Sequence, residues 1–234
     1  GVFTYENTKE GQAALLKECK RKEVELEKMF SLPSSGCGQD LYWEKIEYEE
    51  AKEIELYDLV NSEAGCVKVV GILRDTDTKT LYDLLMSTKL DVVKQFAVNA
   101  KSIRLVEQVD DNTQILYSQA AAPFPVSDRE LLLCRHVIRK QNATVILSFS
   151  VNHKQFPHKT DHVRAKLFIS VWIIEELSPS MTTTSSSSGH EKPPIRLTRM
   201  GMLSPQGFVP DWVVKQFKKK PAESMVLIRN ILSH

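Results

Sequence analysis

From Ile103 to Leu203 the chain alternates strand-forming runs with turns, and it then closes on a single long helical pattern from Asp211 to Leu232. The runs are Ile103–Val109, Gln114–Gln119, Leu131–Arg139, Thr144–Val151, Val163–Leu177 and Arg196–Leu203. The first two flank Asp110-Asp111-Asn112, a turn cluster that joins them as a hairpin. In the closing helix Val214, Phe217, Pro221, Met225, Ile228 and Leu232 recur at spacings of three and four, which puts them on one face. An apolar stripe of that length has to be covered, and the preceding segment supplies a sheet to cover it. Asp211 suits the positive end of the helix dipole. Pro221 is expected to kink the helix or divide it.

The first hundred residues fit the same plan. Residues 7–30 read as a helix, with Asn7 and Glu10 as a capping box and Leu15, Cys19, Leu26 and Met29 as a partial stripe. Strands are expected over Leu41–Tyr48, Ile54–Val60 and Cys66–Leu73, and short helices near Lys79–Ser87 and Asp91–Ala100. Residues 178–194 hold a Thr/Ser-rich low-complexity stretch, read as a flexible loop between two strands that could carry phosphates. The expected fold is α+β: a curved, mostly antiparallel sheet around a long C-terminal helix. With no repeat and no linker dividing two cores, residues 1–234 are expected to form one domain.

Composition narrows the function. Hydrophobic residues are 42% and charged residues 26%, as in a water-soluble globular protein, and 31 basic against 30 acidic residues give a net charge of +1. Nucleic acid is therefore not an expected partner, because phosphate binding calls for a basic excess. Cys19, Cys37, Cys66 and Cys134 form no C-x-x-C pair and none sits beside a histidine at ligand spacing, so neither a metal nor any other cofactor is expected. Four lone thiols suit a reducing, cytoplasmic setting. No apolar run approaches the roughly 20 residues of a spanning helix. There is no G-x-S-x-G, no H-E-x-x-H and no phosphate-cradling glycine loop. His153, His158, Asp161 and His162 cluster in sequence but fall in a strand connection, where a solvated loop is the ordinary reading. Lys218-Lys219-Lys220 could touch anionic lipid, although a solvated helix face explains it as well.

Three segments, taken in order, resemble one family. Pro123-Phe124-Pro125-Val126-Ser127-Asp128-Arg129-Glu130 looks like the P-x-P-x-S-x-R-D segment of StAR-related lipid-transfer (START) domains, with Glu130 for the usual Asp. Ser148-Phe149-Ser150-Val151 before Pro157, then Val163-Arg164-Ala165-Lys166, resembles the next stretch. Pro205-Gln206-Gly207-Phe208-Val209-Pro210-Asp211-Trp212 resembles the loop that opens the last helix. The resemblance implies a helix-grip fold whose sheet and C-terminal helix enclose a tunnel for one lipid. It implies a carrier with no catalytic residues, working as a monomer that touches membranes transiently. Burial of the lipid chains at roughly 0.8 kcal/mol per methylene would drive uptake.

The same alignment implies a candidate site that departs from familiar members. The phosphate-pairing arginine of phosphatidylcholine carriers falls on Val93, and their choline-facing aromatics on Ser118, Leu131 and Phe168, of which only Phe168 is aromatic. A choline cage needs aromatic faces, so that ligand is disfavoured. The polar set of ceramide carriers falls on Ala97, Ser118, Ser148 and Arg199, none identical. The buried Glu–Arg pair of a sterol-linked member falls on Ser118 and Arg135, so only its arginine is kept. From the residues themselves, Leu131, Leu133 and Arg135 point inward if odd positions face the cavity. A lipid phosphate would satisfy Arg135 there; a structural pair with Glu107, or an outward-facing side chain, would do so otherwise. Arg199 is the second cationic candidate. Ser118, Ser148 and Ser170 are small donors or plain strand residues. Val214, Phe217, Met225 and Ile228 are expected to line the tunnel. Phe124 and Phe208 are the candidate membrane-docking residues, unless they pack under their own loops. The expected ligand is a glycerophospholipid, with sterol second. A cyclase or hydrolase on a related scaffold, or a lipid-sensing module of a larger protein, is the alternative.

Overall fold

Alternating apolar positions resolve into one long antiparallel sheet clasped between two helices. The computed structural model describes residues 1–34, 41–48, 53–62, 64–158, 162–178 and 192–233. The order is β1 (Phe3–Tyr5), α1 (Lys9–Phe30), β2 (Tyr42–Ile46), β3 (Ile54–Val60), β4 (Cys66–Leu73), α2 (Thr78–Met86) and α3 (Leu90–Val93). Then come β5 (Ala100–Asp110), β6 (Thr113–Ala120), β7 (Arg129–Lys140), β8 (Ala143–His153), β9 (Val163–Arg164), β10 (Lys166–Glu176), β11 (Ile195–Ser204) and α4 (Asp211–Leu232). The strands lie in the order β2-β3-β4-β11-β10-β8-β7-β6-β5. The β4–β11 pairing joins the first meander to the last strand, with Arg199 opposite Val69 and Gly201 opposite Val67.

Period-two alternation gives each face its own core. On the outer face Leu15, Cys19, Leu26 and Met29 of α1 pack on Ile115, Cys134, Leu147, Val171 and Met200. On the inner face Ala222, Met225 and Ile228 of α4 pack on Val69, Leu73, Ile146 and Leu197. Each fully buried Met or Ile is worth about 1.5–3 kcal/mol. α4 comes close to β4 because Gly71 has no side chain: a Cβ there would lie 2.9 Å from Cγ of Met225.

Several boundaries differ from the sequence reading. The N-cap of α1 is Thr8, whose hydroxyl accepts from the Gly11 amide at 3.0 Å, and not Asn7. The expected helix at Asp91–Ala100 shrinks to one turn, Leu90–Val93, because Ala100 is taken into β5 opposite Ala120. The expected strand Val163–Leu177 breaks at Ala165, where β9 pairs parallel to β7 and β10 leaves to pair with β11. Ala165 donates instead to the Glu130 carbonyl at 3.0 Å. The short β1, parallel to β8, carries no sequence signal. α4 runs unbroken through Pro221, so the helix is not divided there. The Ser/Thr-rich stretch 179–191 and Cys37 lie outside the described residues.

Candidate functional site

Small side chains open a cavity between α4 and the inner face of the sheet. Ala97, Ala120, Ala121 and Gly201 leave a space of about 350 Å³ beside Leu131, Leu167 and Phe217. Ser170 sits opposite Gly201 in the register, and a Cβ on Gly201 would come no closer than 3.8 Å to Ser170. Past Arg199 the inner face fills with Val69, Leu197, Met225 and Ile228, so the cavity ends there. Four residues of β11 separate Arg199 from Leu203 near the loops, a depth of about 13 Å.

Charge is distributed unevenly around this space. Lys218 pairs with Asp58 at 2.5 Å and Lys220 with Glu223 at 2.6 Å. Arg129 ties the two loops at the mouth together, donating to the carbonyls of Ser127, Pro205 (2.8 Å) and Gln206 (2.9 Å). Arg199 differs from all of these. Its guanidinium lies 4.7 Å from the Trp172 ring centre, and among the described residues no hydrogen bond or ion pair reaches it. Its half-buried surface faces the cavity, and burial pushes its pKa down to about 10. The indole face offers a cation–π contact but no hydrogen-bond acceptor for the five N–H donors.

Among the expected binding residues, Ala97, Leu131, Ser170, Arg199, Val214 and Phe217 line this cavity together. The others stand elsewhere. Ser118, Leu133, Arg135 and Ser148 occupy inner-face register positions but not the cavity wall. Arg135 points inward, yet its guanidinium is consumed by Gln114 Oε1 (2.7 Å) and the Met86 carbonyl (2.8 Å). Burial lowers its pKa to about 10 as well. A pair with Glu107 does not form, because Glu107 lies on the outer face, where it accepts from the Tyr5 hydroxyl at 2.6 Å. Val93 and Met225 are core residues. Phe168 sits at the β10 bulge with the Lys166 ammonium 4.3 Å from its ring centre.

The two loops project aromatic rings into solvent. Phe124 is 93% exposed, Phe208 82% and Trp212, just behind it on α4, 47%. Packing of Phe124 and Phe208 under their own loops is therefore excluded. Gly207, at φ 66°, allows the tight turn that presents Phe208.

Two features were missed or misread from sequence. Arg129 was seen only as part of a motif, and its use as a clamp could not be read without the loop at Pro205. His153 is not a solvated loop residue: it ends β8, is buried, accepts from the Gln155 amide and lies 3.4 Å from Glu107. His158 lies 3.7 Å from Glu130, and Asp161 is outside the described residues. Among the described residues no three His, Cys, Asp or Glu side chains are grouped to hold a metal, and no helix is long and apolar enough to cross a membrane. A second surface hollow, about 520 Å³, opens at the β7–β8 turn beside Lys140, Asn142 and Ser178. It is far from both loops and borders undescribed residues.

Comparison with known proteins agrees with this architecture. The family model for the START domain matches residues 23–224. Mouse phosphatidylcholine transfer protein is 28% identical over 171 residues, covering 70% of this chain and 72% of that protein. Human START domain-containing protein 10 is 21% identical over 196 residues, covering 84% of this chain but 58% of that protein's length. Among solved structures, human StAR-related lipid transfer protein 5 superposes with a TM-score of 0.73 at 14% identity, over 97% of this chain and 98% of that one.

Proposed function

The chain belongs to the START domain family, and from that premise we propose that it binds one lipid in the cavity under α4 and carries it between membranes. The observation that carries this reading is an internal, mostly apolar space ending on an unpaired guanidinium. Apolar walls favour chain burial, and Arg199 supplies strong, charge-assisted bonds where water is excluded. This favours a phosphate-bearing glycerophospholipid over a neutral sterol. Choline is disfavoured, because among the described residues no group of rings surrounds the cavity next to Arg199; its one aromatic neighbour, Trp172, is already used.

Uptake and release are physical steps, not chemical ones. Among the described residues the one carboxylate on the cavity wall, Glu223, is held by Lys220, and no histidine or cysteine lines it. That leaves no free acid–base pair and supports a carrier without catalysis. The exposed Phe124 and Phe208 are the proposed membrane contacts, since aromatic rings favour the headgroup level of a bilayer. A monomer shuttling through a reducing cytoplasm fits the buried thiols of Cys19, Cys66 and Cys134, the second of which burial pushes up to about 12.

The test is lipid extraction and mass spectrometry of the purified chain, followed by thermal denaturation with each lipid class. A co-purifying lipid that raises the melting temperature supports the reading. If no lipid co-purifies and no lipid class shifts the transition, the carrier reading is wrong.

A further inference from the structure

The outer face of the sheet, away from the cavity, holds a pair of reactive groups that lipid binding does not use. Cys19 lies midway along α1, on the stripe that also carries Leu15, Leu26 and Met29. Cys134 lies midway along β7, between Ile115 of β6 and Phe149 of β8. The two thiols meet across the helix–sheet interface with their sulfurs 3.8 Å apart. Among the described residues this is the one contact between two sulfurs, since Cys66 stands apart on β4. An apolar residue at either place would seal the interface as well. Two thiols brought together from 115 positions apart give it a second, covalent state as well as a packed one.

A disulfide holds its sulfurs at about 2.05 Å, so closing this pair takes under about 2 Å of travel. What restrains the reaction is access. The thiols are 1% and 0% exposed. The Cys19 contact and burial hold the Cys134 thiol well above its usual range. While α1 is seated the pair is therefore inert, because the thiolate is the nucleophile. Local opening of the helix wets the sulfurs and starts the chemistry.

We propose that Cys19 and Cys134 are an oxidative modification site, where a peroxide joins them as a disulfide that staples α1 to β7. One sulfur, deprotonated on opening, attacks a peroxide oxygen. The O–O bond breaks, and the leaving hydroxide takes up that proton as water, which leaves a sulfenic acid. The second sulfur attacks the sulfenic sulfur, the S–S bond forms, the S–O bond breaks, and hydroxide leaves with the second thiol's proton as another water. Each sulfur gives up one electron, and the two reduce one peroxide to two waters. The staple restricts the unfolded chain across a long loop. It lies on the face opposite Met225 and Ile228 of α4, so the cavity keeps its shape.

The experiment treats the full chain with hydrogen peroxide below its melting temperature, then maps its peptides by mass spectrometry without reduction. A Cys19–Cys134 cross-linked peptide should be the main thiol product. The oxidised protein should melt about 5–15 °C higher than the same sample after dithiothreitol; that comparison isolates the disulfide, because dithiothreitol does not reverse methionine oxidation. Uptake of lipid should be the same before and after reduction. Cys134→Ala should lose the dithiothreitol-sensitive part of the melting temperature. Unreacted thiols at both positions, sulfinic or sulfonic acids there without a cross-link, a main cross-link through Cys37 or Cys66, or a cross-linked protein that melts no higher than the reduced one would each overturn the proposal. None of these outcomes bears on whether the cavity holds lipid.

Discussion

Removing the charge of Arg199 should make the lipid-free protein more stable while making it blind to acidic lipid. The guanidinium is half-buried on the cavity wall with no acceptor among the described residues. A pKa held down to about 10 from 12.5 corresponds to about 3 kcal/mol against the charged form in the folded state. Cavity water and the Trp172 face return part of that, so about 1–2 kcal/mol remains to be recovered when leucine replaces the ion. The sign follows from the depressed basic pKa: the folded state disfavours the proton, so the penalty is present in full at every pH below about 10 and fades only above it. Ordinary buffers will not alter it. In a chain of this size 1 kcal/mol moves the melting temperature by about 2–4 °C, so Arg199→Leu should melt about 2–8 °C higher when delipidated. With acidic lipid at a hundred times its Kd the wild type should gain about 2.7 kcal/mol and overtake the variant, which gains little. Scanning calorimetry of both proteins, delipidated and loaded, reads the crossover directly. A delipidated variant that melts below the wild type would refute the reasoning, because it would mean that Arg199 already has a structural partner.

Three further outcomes follow from the geometry. Gly201→Leu should fold, since nothing lies within 3.8 Å of its added Cβ, but should abolish lipid uptake by filling the space; a gel-filtration profile like wild type with normal lipid loading would count against this cavity as the site. Phe124→Ala combined with Phe208→Ala should reduce liposome co-sedimentation and transfer rate about tenfold while leaving affinity for detergent-dispersed lipid unchanged, each exposed ring contributing on the order of 1 kcal/mol at the headgroup level. Glu130→Gln should cost about 3–5 kcal/mol in chemical denaturation, because it leaves Arg164, now 2.8 Å from a fully buried carboxylate, without its counter-charge; a loss under 1 kcal/mol would mark the pair as dispensable.

Which parts were legible follows from how far each signal reaches along the chain. β3 and β4 match their expected ends because Ile54–Val60 and Cys66–Leu73 are short apolar alternations bounded by turns. Period two alone put Leu131, Leu133 and Arg135 on one face, and the register opposite Ser118, Leu116 and Gln114 agrees with that; which side that face looks to was left open by the sequence and is fixed by where α4 packs. Errors came where a tertiary contact overrode a local preference. The Asp91–Ala100 pattern is helical only until Ala100 finds Ala120 across the hairpin. β1 is three residues and pairs with Val151–His153, the end of β8 that runs past its pairing with β7 and β10.

The site was less legible for a related reason: pointing inward and being available are different properties. Arg135 and Arg199 both face inward from strands, the first buried and the second half-buried, and both have pKa values lowered to about 10 by burial. What separates them is a neighbour that no local pattern names. Gln114 stands across the β6–β7 ladder from Arg135, and the end of α2 brings the Met86 carbonyl to it from 49 residues away. Arg199 instead faces Trp172 across one ladder and Val69 across the other, and neither can accept a hydrogen bond from it. Gly201, two residues on, withholds the side chain that would have filled the adjoining space. The cavity is thus defined by what is missing around one arginine: a counter-charge, an acceptor and a Cβ. A lipid that supplies an acidic end and apolar chains replaces all three at once, and that complementarity makes Arg199, and not the better-hidden Arg135, the residue on which recognition should turn.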